Sequence, residues 1–254
     1  MQKTYNLYHN IGYWFLLFIA LVVAGFYSSY FTVFLEPKDA IVHIHFVLMM
    51  LWIVMLIVQP FLIKYKKVSI HRRLGKVSYI LFPLVAVSGF AMIRNSYYNI
   101  INDPEIQIKL GVQHLTEGQL LIFNSSYQAI ALFYLLLFGL FYLLAIVNKK
   151  RSSVHARFMV ASALTLLGPT VDRIIFFVFG LKSLPGSLPI ELGAFFIADF
   201  VLALLLYKDY KSHRQLKTLS ICLLLFIAAQ ALYFTLPQRD WWQDFVAAIM
   251  YPKV

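Results

Sequence analysis

Histidines and carboxylates set into strongly apolar sequence are the groups of this chain that could do chemistry. His71 in KVSIHRRLG and His155 in RSSVHARFM each stand a few residues after a Lys-Lys pair, where an apolar run begins. Two neutral imidazoles facing each other across a helix bundle can serve as the axial ligands of a b-type haem. The same two residues, each close to serine and arginine, could instead belong to cationic turns that cap helix starts and hold lipid phosphate. His43 and His45 open another apolar run, and His114 lies near Glu117 in GVQHLTEGQ. His45, His114 and a carboxylate would make a three-ligand set for zinc or a similar divalent metal, with an open position for water. His43 and Glu117 complete the list of candidate ligands, although no HExxH or comparable compact motif accompanies them. Asp172 and Arg173 follow Gly168 and Pro169, Glu191 stands before another apolar run, and Asp199 in AFFIADFVLALLL has no neighbouring cation. Ionisable groups at membrane depth are costly and mark functional sites by default, so Asp172 and Glu191 are the candidate catalytic acids or bases.

These groups need a scaffold, and composition names its class. The 254 residues are 61% hydrophobic and 13% charged, with a mean hydropathy of +0.75, outside the range of soluble globular domains. Seven apolar runs are long enough to cross a bilayer, at 11–34, 41–63, 74–94, 121–147, 156–180, 187–207 and 217–236. The expectation is an all-α membrane protein, one transmembrane domain of seven helices over 1–254. The first run is too long for a signal-peptide core, and no small-residue cleavage pattern follows it. The segment 95–120 reads as an extracytoplasmic loop or lid. The tail 237–254, with Trp241, Trp242, Phe245 and Tyr251, reads as an amphipathic stretch at the interface.

Orientation follows from Lys and Arg. Lys64, Lys66, Lys67, Arg72, Arg73 and Lys76 form one basic turn, Lys149, Lys150, Arg151 and Arg157 a second, and Lys208, Lys211, Arg214 and Lys217 a third. The opposite side carries Lys38, Arg94, Lys109, Lys182, Arg239 and Lys253, mostly near acids. The positive-inside rule then puts the N-terminus in the cytoplasm and the C-terminus outside. The net charge of +11 resides largely in these turns, which argues against a nucleic-acid partner. LIKYKKVSIHRRLG at 62–75 also resembles AIVNKKRSSVHARFM at 145–159. The second and third helices therefore match the fourth and fifth as a parallel repeat, with a central four-helix unit. Pro169 should kink the fifth helix and free a carbonyl.

From His45 the helical face steps through Met49, Trp52, Leu56 and Gln59, a stripe that should face protein and not lipid. His43 and His45 lie about 200° apart on a regular helix and should not share a site. The lone cysteine, Cys222, lies inside an apolar run and can build neither a disulfide framework nor a thiolate metal site.

A histidine at the head of one span, Gln59-Pro60 near its foot, a basic turn and then HRRLG together resemble an uncharacterised bacterial family of polytopic membrane proteins, over 43–89. That resemblance implies a bacterial inner-membrane protein and supplies no activity. The topology is also similar to that of the di-haem membrane cytochromes b. There the second and fourth helices each give one histidine to one haem, and the third and fifth give one each to the other. His45, His71 and His155 match the second, third and fifth positions, while the fourth helix offers Gln128. Seven spans with polar groups at one leaflet also resemble the seven-helix zinc amidohydrolases of membranes, whose histidine pair on a late helix is absent here.

Three functions remain open from sequence. One is a membrane metal or haem protein engaged in redox or electron transfer, with haem b or zinc. Another is a transporter or accessory subunit with a path through Asp172, Arg173 and Asp199. The last is a zinc hydrolase acting on a lipid-like substrate. The bilayer, other membrane subunits and a quinone or lipid-like small molecule are the expected partners.

Overall fold

A computed structural model describes residues 10–36, 38–181, 183–185 and 188–250. Lys182, Tyr251 and Lys253, used above for orientation and for the tail, lie outside the described residues. Among the described residues the chain is helical, and its strand-like pairing is one isolated bridge between Leu184 and Leu188. In chain order the helices are α1 (Ile11–Phe26), α2 (Ala40–Lys64), α3 (Val68–Asn102), α4 (Pro104–Leu110) and α5 (Glu117–Val147). Then come α6 (Ser152–Leu164), α7 (Leu167–Arg173), α8 (Leu192–Lys211), α9 (Lys217–Thr235) and α10 (Asp240–Met250). α1 and α7 each run on into a π-helical turn, Tyr27–Phe31 and Ile174–Val178.

Six of these units are long and apolar enough to cross a membrane: α1 with its π turn, α2, α3, α5, the α6–α7 unit with its π turn, and α9. The chain has the build of a multi-pass membrane protein. α8 is missing from that set because any stretch of it long enough to cross includes Asp199, Lys208 and Asp209.

The α6–α7 unit is broken at Thr165 and Leu166, one turn before Pro169. Proline has no N–H to give the Thr165 carbonyl, which explains the break at that point. Pro60 and Pro83 lie inside α2 and α3, which continue through them.

The middle of the bundle is α5, which packs against α3, α6, α7, α9 and α10. Its Ala129, Phe133, Phe141 and Ala145 are buried, and Phe141 stacks on Phe226 of α9. Trp52 of α2, fully buried, sits edge-on to Phe138 and Tyr142 of α5 and beside Phe82 of α3. The stripe from His45 to Gln59 therefore faces protein, as its composition requires. α1 packs against both α2 and α7. Helices approach closely at three glycines: a Cβ on Gly25 would lie 2.7 Å from the Thr170 carbonyl oxygen, one on Gly168 2.5 Å from the Tyr134 ring, and one on Gly193 2.7 Å from the Ile175 side chain.

The turns α2–α3, α5–α6 and α8–α9 carry the lysines and arginines and lie at one end of the bundle. Lys149 after α5 donates to the Tyr79 hydroxyl of α3 at 3.0 Å, and Arg157 near the start of α6 reaches Asp209 near the end of α8. At the far end most of 95–120 is helix. α3 runs eight residues past Arg94 to Asn102, Asp103 caps α4, and Gly111 ends α4 with a φ of 71°. Thr116 and Gln119 then form a capping box that starts α5. The tail helix α10 is docked at this end. Its Trp242, Val246 and Met250 are buried, Trp242 stacks on Phe133, and Arg94 donates to the Met250 carbonyl at 3.0 Å. Trp241 and Phe245 on its other face are exposed, the pattern of a helix lying along an interface.

Candidate functional site

At the basic end the polar groups pair with one another. The Gln59 amide accepts from the Gly75 N–H at 3.0 Å and donates to the carbonyl and Nδ1 of His71, clasping the end of α2 to the start of α3. Ser78 donates to the Gly75 carbonyl at 2.6 Å and accepts from the Tyr142 hydroxyl at 2.8 Å, extending the clasp to α5. His155 Nδ1 lies 2.9 Å from the Ala145 carbonyl, closing the α5–α6 hairpin in a similar way. His71 and His155 are near enough for their charges to interact.

Among the described residues, the charged side chains with the least exposure also lie here. Arg157 is 1% exposed; its Nε donates to Asp209 Oδ2 at 2.7 Å and its Nη2 stands 2.6 Å from the same oxygen as an ion pair, while Asp209, itself at 0%, keeps its Oδ1 buried without a hydrogen-bond partner. Arg157 also donates to the carbonyl and hydroxyl of Ser153. Sequence reasoning counted Arg157 with the basic turn and passed over Asp209, which is hidden between Lys208 and Lys211. A usable signal was present: Arg157 stands one turn inside an apolar helix, where an unpaired cation would be too costly.

The histidines of the expected zinc site diverge. His43 Nδ1 meets the Tyr30 hydroxyl of the α1 π turn at 2.9 Å, and its ring lies against Phe34. His45 points to α3, with Nδ1 2.9 Å from Ser88 Oγ. This is the divergence that their spacing on a helix requires. His114 and Glu117 are exposed in the turn before α5 and its first residue. Among the described residues no group of three or more His, Cys, Asp or Glu could hold a metal ion.

Asp172, Arg173 and Glu191 are brought together at the far end. Asp172 lies within electrostatic reach of both Glu191 and Arg173. Three phenols from other elements join them: Tyr127 feels Arg173, Glu191 and Asp172, Tyr134 feels Asp172, Asp199 and Glu191, and Tyr233 of α9 feels Glu191 and Asp172. His45 of α2 is within reach of Arg173. Arg173 is adjacent to Asp172 in sequence but spends its guanidinium elsewhere, donating to the Pro169 carbonyl at 2.9 Å and lying 4.5 Å from the Phe26 ring centre.

The result is a polar cluster with open valences. Asp172 Oδ1 and the Tyr134 hydroxyl are buried and have no hydrogen-bond partner. One Asp199 oxygen accepts from Gln230 of α9 at 2.7 Å, and the other is buried and unpartnered. Buried polar atoms without partners are rare and call for an explanation. Both π turns flank this cluster, one leading out of Phe26 and one out of Arg173, and π turns inside α-helices are frequent at functional sites. Asn124 and Gln128 belong to a separate neutral ladder. Asn124 donates to the Tyr97 carbonyl at 2.9 Å, and Gln128 donates to Asn124 at 3.2 Å and to Ser96 at 3.1 Å.

Compared with protein-family models, curated proteins and solved structures, the chain has no significant match.

Proposed function

We propose that this protein is a proton-coupled membrane transporter, or the subunit of one, whose working site is the cluster of Asp172, Arg173 and Glu191 with Tyr127, Tyr134 and Tyr233. The observation that carries the reading is the buried Asp172 Oδ1 without a partner, in a cluster fed by several helices. A carboxyl group in such a place exists at modest cost only when it can take up a proton or a ligand. Tyr134, which feels both Asp172 and Asp199, extends the titratable groups toward the middle of the bundle.

The scaffold in this proposal has seven crossings, with α8 as the sixth in chain order. Arg157 supports it, because the ion pair compensates the charge of Asp209, one of the three charges that α8 carries over a length able to cross. By the positive-inside rule the basic turns then face the cytoplasm, the cluster lies in the outer half, and the bacterial inner membrane is the natural home. The parallel arrangement of the α2–α3 and α5–α6 hairpins, each with a histidine tied back to its own first helix, supports the repeat.

The test is proton flux. Proteoliposomes containing a pH-sensitive dye would be given a membrane potential, and acidification compared with empty vesicles. Wild type should exceed the empty control, Asp172→Asn should fall to it, and His155→Ala should stay near wild type. Flux no greater than the control, or flux indifferent to Asp172→Asn, overturns the proposal.

A haem or metal reading has one observation in its favour. The contact of His155 Nδ1 with a backbone carbonyl is the kind of bond that orients an imidazole and prepares it to bind iron through Nε2. His71 does not fit the partner role. Its Nδ1 accepts from Gln59, so the ring proton sits on Nε2, the atom an axial ligand must offer. An oxidised-minus-reduced optical spectrum of the purified protein decides this reading, since a Soret band shifting on reduction would restore it.

A further inference from the structure

We propose that the far end of α3 carries a binding groove for an uncharged amphiphile, separate from the charged cluster and touching it only through Tyr127. The groove has a volume of about 250 Å³ and is open on one side. It lies between the last turns of α3, the short α4 and α5, with Met92, Asn95, Ser96, Asn99, Ile106 and Tyr127 among its walls. Its size falls just below that of ordinary ligand pockets, which run from about 300 Å³ upward, so it takes a head group and not a whole molecule.

The chemistry of the walls selects the occupant. Asn95 and Asn99 stand one helical turn apart on α3, both half-buried, and among the described residues their side-chain amides have no partner in the protein. Their neighbours are engaged: Asn102 donates to the Tyr98 carbonyl, Gln107 to the Ile100 and Ile101 carbonyls, and Ser96 accepts from Gln128. Two amides and a phenol thus offer hydrogen bonds to one space. No charged side chain lines it, so the head group it suits is neutral, with a carbonyl or hydroxyl oxygen.

Depth supplies the tail. α3 has 35 residues, about 52 Å at 1.5 Å per residue, against a hydrocarbon core of about 30 Å. Its basic start sits at one headgroup layer, so Asn95 and Asn99 reach the opposite one, and Met92 marks the edge of the acyl region. A molecule with its head between the amides would lay its chain along Met92 into the lipid. An isoprenoid quinone and an uncharged glycerolipid both have this chemistry. The inference holds whether or not the charged cluster moves protons.

The experiment uses the full-length protein in phosphatidylcholine nanodiscs, titrated separately with decylubiquinone and with dioctanoylglycerol by microscale thermophoresis. One of the probes should bind saturably, which identifies the source. Asn95→Leu and Asn99→Leu should each weaken that binding about tenfold, the worth of one hydrogen bond to a buried acceptor. Asn99→Trp, which fills the groove from its rim, should abolish it. The unfolding temperatures of the three variants, measured in the same discs, show that each is folded. Saturable binding of neither probe to wild type overturns the proposal, as does binding that these folded variants leave unchanged.

Discussion

The two ends of the bundle use polar residues in opposite ways. At the basic end the Gln59 amide serves His71 and Gly75, His155 meets Ala145, and Arg157 closes on Asp209 with a hydrogen bond and an ion pair that leave Asp209 Oδ1 buried and unpartnered. At the far end Asp172 Oδ1 and the Tyr134 hydroxyl are buried and meet nothing, and Asp199 is half satisfied. Both ends contain costly groups and a buried carboxylate oxygen without a hydrogen-bond partner, but only at the basic end does the buried acid close on a countercharge. The lesson is that burial of charge does not by itself mark a working site. The basic end reads as a structural closure, and the far end as a place kept ready for something that arrives from outside.

The largest test of that contrast is to break the closure. Arg157→Met leaves Asp209 as an uncompensated buried carboxylate and should cost about 3–5 kcal/mol, seen as a large drop in thermal unfolding temperature in detergent. The double variant Arg157→Met with Asp209→Leu should recover most of the loss, since a well-packed apolar pair replaces the charges. A single variant as stable as wild type would mean that the pair is solvated and the contrast false. Next in size is Gly168→Ala, which places a methyl 2.5 Å from the Tyr134 ring. That crowding should cost about 1–3 kcal/mol, whereas Gly118→Ala, with open space around it, should change nothing measurable. Equal behaviour of the two glycine variants would show that α7 and α5 are not held in close register beside the cluster. Smaller still is Gln59→Leu, which removes the clasp on His71 and the Gly75 N–H and should cost about 1 kcal/mol.

How far the sequence could carry this contrast depended on the range of the signals. Helix class, the apolar runs and the basic turns are local properties, and they are legible at 40–64 and 117–147 to within a few residues. The divergence of His43 from His45 was equally legible, because helical spacing alone requires it. The gathering of Asp172 with Glu191 could be suspected from depth, while their phenolic neighbours could not, since Tyr127 and Tyr134 come from α5 and Tyr233 from α9, both well away from Asp172 in sequence. Asp209 was illegible for a different reason: three basic neighbours disguised an acid whose partner lies 52 residues away. The aqueous look of 95–120 came from its asparagines and charged residues. It concealed a continuation of α3, because a helix leaving the bilayer keeps its backbone bonds and changes only its surface.

The smallest expected effect is the one that separates the two ends most cleanly. Asp172→Asn keeps the shape of the side chain and removes the ionisable group. Were Asp172 paired as Asp209 is, this change would leave a partner stranded and the protein would lose stability. Its Oδ1 has no partner to strand, and Arg173 is already committed to the Pro169 carbonyl and the Phe26 face. The unfolding temperature should therefore stay level or rise slightly, within about 0.5 kcal/mol of wild type, while proton flux disappears. Asp209→Asn, made in parallel, should do the reverse and destabilise the protein, with flux per folded molecule retained. If Asp172→Asn proves as damaging to the fold as Asp209→Asn, the far-end carboxylate is a structural group like those at the basic end, and the working site must be sought elsewhere.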